Sequence, residues 1–356
     1  MHKRQQQLYQ QRRGQEACQD CRLRWSSSHC DRCPRCSAST TVDTVVVAES
    51  VCAVVKDEQL QARLCAAVKE KRSTDTRALL AEKYADPKQA TTANGITPLF
   101  RGACAGHVAN VKVLLAHNAD PNEATTTNGA TPLYMAAQNG RLDAVNLLLA
   151  YNANPNQATT DDGATPAFAA ARQGHADVVR TLLRHHALPN LAKTTDGITP
   201  LWMAARIGHL DVATVLLEHN ADPNQPKTTN GTTPLFVAAQ NGHLALVRML
   251  LGHGADPNQA IATAGCTPMF VAAQKGNVEI LKVLLEQNAD PNKATTTNGT
   301  TPMFLAAQNG HLGMVKLLLK HSANPNSTTG KRDPLKVAIK KGRTAIAKVL
   351  KQHGAV

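Results

Sequence analysis

Sixteen of the 18 prolines in this chain fall into two series, each with a nearly constant interval. One series follows Thr or Asp, at Pro98, Pro132, Pro166, Pro200, Pro234, Pro268, Pro302 and Pro334, in steps of 34 residues with a last step of 32. The other, at Pro87, Pro121, Pro155, Pro189, Pro223, Pro257, Pro291 and Pro325, keeps 34 throughout. Self-similarity at a fixed period of roughly 20–50 residues marks a stacked-repeat chain, in which each unit buries its apolar face only against its neighbours. The composition agrees. A single closed core for 356 residues would draw on more Phe, Tyr and Trp than the 3% found.

One unit, residues 131–164, explains the rest. Thr131 is a helix N-cap type, and Pro132 suits the first helical position, where its missing N–H costs nothing. Leu133, Ala136 and Ala137 form an apolar stripe at helical spacing, and Gly140 ends the helix in a left-handed turn. A second helix carries Val145, Leu148 and Leu149 and stops at Asn152, the next-best left-handed residue after glycine. Asn118, Asn220 and Asn288 match it, Gly254 replaces it, and His186 and Ser322 depart from it. Thr159 to Gly163 then form a turn-rich finger. The fold expected is an all-α repeat solenoid: helix-turn-helix units joined by β-hairpin-like fingers, with an irregular segment at the N-terminus.

The recurring Thr-Pro-Leu, Ala-Ala-x-x-Gly-His, Leu-Leu and Ala-Asp-x-Asn, in that order, resemble the ankyrin-repeat family. The resemblance covers residues 97–326 as seven units. A half-matching cap precedes them (57–96, with Leu79-Leu80 and Ala85-Asp86-Pro87), and a basic capping unit follows (327–356). Two departures stand out. The period is 34 rather than the usual 33, with the extra residue in the finger. The family's His after Thr-Pro-Leu is replaced by an aromatic, at Phe100, Tyr134, Phe168, Trp202, Phe236, Phe270 and Phe304. This column is expected to pack between units, with Trp202 the largest member.

The resemblance implies a concave partner-binding side made of the first helices and fingers. On the first helix, the residue after the aromatic and the one three later share a face. These pairs are Arg101 and Cys104, Met135 and Gln138, Ala169 and Arg172, Met203 and Arg206, Val237 and Gln240, Val271 and Gln274, and Leu305 and Gln308. They are expected to form an exposed stripe poor in charge, suited to a protein partner. Arg172, Trp202, Met203 and Arg206 would be its centre, being residue types enriched at binding hot spots.

The remaining features each carry two readings. The 14 histidines recur about once or twice per unit and are not clustered, which fits helix capping rather than a metal site. Residues 1–56 are basic, glutamine-rich at the start and expected to be largely disordered, yet Cys18, Cys21, Cys30 and Cys33 have the Cys-x2-Cys spacing of a zinc site. Their alternatives are zinc ligation and free thiols. The last thirty residues carry eight basic groups and one acidic, either as the polar face of a capping unit or as a nuclear-import or nucleic-acid patch.

No apolar run approaches the ~18 residues needed to cross a bilayer, and Met1-His2-Lys3-Arg4 leads into no apolar secretory core. Thiols in a reducing compartment, cytoplasmic or also nuclear, are therefore expected. The charge of residues 97–326 is nearly balanced, which disfavours a nucleic-acid track along the repeats. No phosphate loop or nucleophile motif is present. The expected function is a monomeric, non-enzymatic adaptor with an unidentified protein partner and no cofactor. The rival is a zinc-dependent nucleic-acid or ubiquitin-pathway regulator working through residues 18–36.

Overall fold

A computed structural model describes residues 59–82, 86–88, 93–326 and 332–356. They form a single row of helix pairs: α1 (59–69) with α2 (Ser73–Leu80), α3 (Pro98–Ala105) with α4 (Val108–Ala116), α5 (Pro132–Gln138) with α6 (Leu142–Ala150), and α7 (Pro166–Gln173) with α8 (Ala176–Arg184). Then follow α9 (Pro200–Ile207) with α10 (Leu210–Glu218), α11 (Pro234–Asn241) with α12 (Leu244–Gly252), α13 (Pro268–Lys275) with α14 (Val278–Glu286), α15 (Pro302–Asn309) with α16 (Leu312–Lys320), and α17 (Pro334–Lys340) with α18 (Thr344–Gln352). Among the described residues no strand occurs.

The helix ends are where the punctuation places them. In each of the seven Thr-Pro units the threonine hydroxyl accepts from the backbone N–H of the aromatic three residues on, at 3.1–3.2 Å. Such a cap contributes about 1 kcal/mol. Asp333 does the same for α17, taking the amides of Leu335 and Lys336. The second helices end on a left-handed residue, whether Asn118, Asn152, Asn220 or Asn288, or the departures His186 and Ser322, at φ 60–67°. The left-handed turn therefore belongs to the position; asparagine is only its best occupant after glycine.

The core runs the length of the row instead of closing around one centre. Leu133, Leu148, Leu182, Leu201, Leu216, Leu235 and Leu250 are fully buried, one or two per unit. First helices bring fully buried alanine pairs, such as Ala170-Ala171 and Ala204-Ala205, against the next unit. These small side chains let first helices pack closer to one another than second helices do, so the row curves with its first helices inside.

Two polar ladders join the units. In the loop after each second helix an asparagine bridges to the next unit: Asn190 Nδ2 donates to the Asn220 carbonyl at 3.2 Å, and its Oδ1 accepts from the Asp222 amide at 2.7 Å. Asn122, Asn156, Asn224, Asn258, Asn292 and Asn326 repeat the pair. On the other side each finger closes hairpin-like, Thr125 N–H to the Ala130 carbonyl, and leans on its predecessor through one amide bond, such as Thr160 N–H to Asn128 O at 2.8 Å. The cap ahead of the first unit is tied on by Asn110 Nδ2, which donates to the Val68 carbonyl.

Candidate protein-interaction surface

The residues chosen from sequence as one exposed stripe separate into two rows at different depths. The row just after the aromatics is interior: Met203, Val237, Val271 and Leu305 are 3–8% exposed, Ala169 is fully buried, and only Arg101 and Met135 are half-buried. This corrects the expectation of exposure. The alanine-mediated approach of neighbouring first helices closes over this position, so Met203, Val237, Val271 and Leu305 are buried between units instead of standing in an exposed stripe. Trp202 is corrected likewise. It is 6% exposed and its indole N–H donates to the Thr232 carbonyl at 3.0 Å, in the finger of the next unit. The other aromatics are buried or half-buried, as inter-unit packing requires.

The second row, three residues on, reaches the surface. Arg206, Gln240 and Gln274 are exposed; Gln138, Arg172 and Gln308 are half-exposed. The α-helical turn explains the split. Three residues bring a side chain back to nearly the same face but one turn nearer the helix end, past the closest approach of the neighbouring helix. Just behind the surface row stands an asparagine row that is spent on structure. Asn139, Asn241 and Asn309 donate to the carbonyls of Cys104, Arg206 and Gln274 one unit back, at 3.0–3.2 Å.

Two fingers differ from the rest in a way that sequence reasoning missed. At Thr125, Thr159 and Thr295 a buried threonine hydroxyl meets the finger's own Asn128, Asp162 or Asn298. The in-phase positions in the next two units are Lys193 and Lys227. Lys193 Nζ lies 2.7 Å from Asp162 and Lys227 Nζ 4.0 Å from Asp196, each reaching back one unit. Lys193 also stands 5.5 Å from the Phe168 ring centre and Lys227 5.6 Å from that of Trp202. The detectable signal was a threonine phase broken in three successive units, by Lys193 and Lys227 and then by Ile261.

Burial pushes the Asp162 carboxyl up, but hydrogen bonds from Lys193, Thr159 and the Ala164 amide outweigh it and hold it below the usual aspartate value of 3.8. A carboxyl depressed in the folded state adds stability above its unfolded value, and loses it as pH falls through the folded one. Lys193→Met is therefore expected to lower stability at pH 7 by about 0.2–1 kcal/mol. The difference from the parent should shrink as pH is taken from 5 to 2 and Asp162 protonates in both. The lysine's contact with Phe168 leaves a remainder. Urea midpoints across that pH range measure it; a difference that stays constant would dismiss the ion pair.

The histidines resolve into two series. His117, His219 and His253 place Nδ1 2.8–2.9 Å from the carbonyl four residues back, closing the ends of second helices as the capping reading expects. Those after the inter-helix glycine do not cap. The rings of His175, His209 and His243 lie on the turn glycines of the preceding unit, Gly140, Gly174 and Gly208. His209 and His243 Nε2 also approach the carbonyls of Arg172 and Arg206, at 3.3 and 3.2 Å. Among the described residues no group of three or more His, Cys, Asp or Glu is placed to hold a metal. Cys18, Cys21, Cys30 and Cys33 lie outside the described residues, as does the whole of segment 1–56. In the last unit Lys336, Lys340, Lys341, Arg343, Lys348 and Lys351 are exposed. Among the described residues no helix is long and apolar enough to cross a membrane.

Once these positions are laid out, comparison with known families agrees with the repeat geometry. The family model for ankyrin repeats (3 copies) matches four stretches, residues 64–159, 156–227, 224–295 and 289–356. A search of curated proteins returned no match.

Proposed function

The chain belongs to the ankyrin-repeat family, and from that premise we propose that it is a non-enzymatic adaptor that holds a protein partner on the face formed by its first helices and fingers. Ankyrin repeats are generally protein–protein interaction modules, and the family is typically non-enzymatic. The supporting observation is the surface row itself. Gln138, Arg172, Arg206, Gln240, Gln274 and Gln308 stand one per unit on the inner side of the curve, and among the described residues no other group hydrogen-bonds or ion-pairs with their side chains. A regular line of unspent donors on closely packed helices is matched to a partner by shape and register at little ordering cost.

The test is cross-linked capture from cells with the full chain. Replacing Gln138, Arg172, Arg206 and Gln240 together by alanine is expected to abolish a set of captured proteins. Replacing Lys112, Lys282 and Lys316, exposed on second helices, should keep that set. Equal capture by both variants would place the interface elsewhere.

A further inference from the structure

The charges of the repeat array are segregated by face. Between residues 97 and 326, eleven of fourteen acidic residues lie on second helices or in the loops behind them. The seven first helices from α3 to α15 contain no Asp or Glu at all, yet carry Arg101, Arg172, Arg206 and Lys275. The other three acids, Asp161, Asp162 and Asp196, belong to two fingers, and Asp162 and Asp196 are already paired with Lys193 and Lys227. Near balance along the sequence thus conceals a cationic inner face.

Three arginines of that face have no anion. Arg101, Arg172 and Arg206 form no ion pair among the described residues, and Arg101 keeps its Nε shielded without a hydrogen-bond partner. Arg206 is braced from below, its guanidinium 5.9 Å from the centre of the Trp202 ring. Arg172 and Arg206 occupy equivalent places on α7 and α9, which pack side by side. Packed helices lie about 8–10 Å apart, and an extended chain of the polyproline-II type advances about 3.1 Å per residue with three residues per turn, so that its residues three apart face the same way. Three residues of an extended peptide therefore span one unit.

Resting on the protein-binding reading above, we propose that the inner face at the third and fourth units receives an extended acidic segment of a protein partner, with carboxylates three residues apart taken by Arg172 and Arg206. Each guanidinium offers a carboxylate two parallel N–H groups, and the flanking Gln138 and Gln240 amides pair with the segment's main chain. A nucleic acid fits less well. Its regular phosphates need a continuous cationic track, whereas here single arginines alternate with neutral amides and the finger lysines are spent on Asp162 and Asp196. The chain's own N-terminal stretch has the wrong sign, with eight basic and five acidic groups in residues 1–50.

The probe is a short fluorescent Gly/Ser peptide with Asp at every third position, titrated into the full chain at low salt. Controls are the same peptide with its Asp residues clustered, a Lys version, and an oligothymidylate of equal charge. Saturable binding is expected, weakening with salt and strongest for the spaced peptide. In R172Q/R206Q it should fall by about tenfold or more, two charge-assisted contacts being lost. R172K/R206K should lie between, since an ammonium keeps the charge without the fork. Circular dichroism of each variant confirms that the helices persist. Any of four results would overturn the proposal: no binding, equal binding by the double variant, preference for the oligonucleotide, or self-association that the peptide does not disturb. If capture in cells depends on this face while the peptide fails to bind, the acidic segment falls and the adaptor reading stands.

Discussion

Leu216→Ala is expected to lower the stability of the array by about 2–5 kcal/mol and to split its urea unfolding into two transitions. Leu216 is fully buried in α10, at the middle of the row, where its side chain fills space between units. The residues around it cannot slide in to close the gap. Val212, Ala213 and Val215 on the same helix are equally buried, and the first-helix alanines Ala204 and Ala205 are already in contact with the flanking units. In a closed core such damage would lower one cooperative transition. A linear array holds together through nearest-neighbour contacts, so a weak unit in the middle uncouples the halves on either side. Trp202 sits in the damaged unit and reports the first loss in its fluorescence, in a Trp25→Phe background that removes the other indole. Lys282→Ala on an exposed face should shift the midpoint by no more than about 0.5 kcal/mol. A single unshifted transition for Leu216→Ala would mean that the units do not depend on one another through this layer.

Gly197→Val should cost about 1–2 kcal/mol for the left-handed backbone alone and a further 1–3 kcal/mol, roughly, for overpacking. Gly197 closes a finger at φ 71°, and a Cβ placed on it would lie 2.8 Å from the backbone nitrogen of Thr228 in the next finger. That nitrogen donates to the Asp196 carbonyl at 3.0 Å, the one backbone bond between these fingers. Valine therefore pushes the two fingers apart and breaks their bond, and with it moves Lys227 away from Asp196 and Trp202. Amide exchange should quicken first at Thr228. Gly254→Val, also left-handed but with nothing within 4 Å of its Cβ, isolates the backbone share of the effect. Equal losses at the two sites would rule out the close approach of fingers as the cause.

Much of this fold could be read before any coordinates. The threonine caps, the turn glycines, the left-handed positions at Asn118 and its equivalents, and the buried leucines are all local. Each depends on a residue's own backbone preferences or on side chains three and four apart. The surface row was legible only in part. Periodicity places Met203 and Arg206 on one helix face and cannot say that a neighbouring helix covers the first and stops short of the second. The backward reach of Lys193 and Lys227 was hidden for a related reason: their partners Asp162 and Asp196 lie one unit away, and only the stacking geometry brings them together.

The sequence by itself determined the unit, its period, its caps and the line of stacking, because these follow from torsional preference and short-range hydrogen bonding repeated in phase. The tertiary structure decided which of two adjacent rows meets solvent, and that most of the acids stand on the face away from the unpaired arginines. Both depend on the distance between neighbouring helices, which small alanine side chains set and no single unit contains.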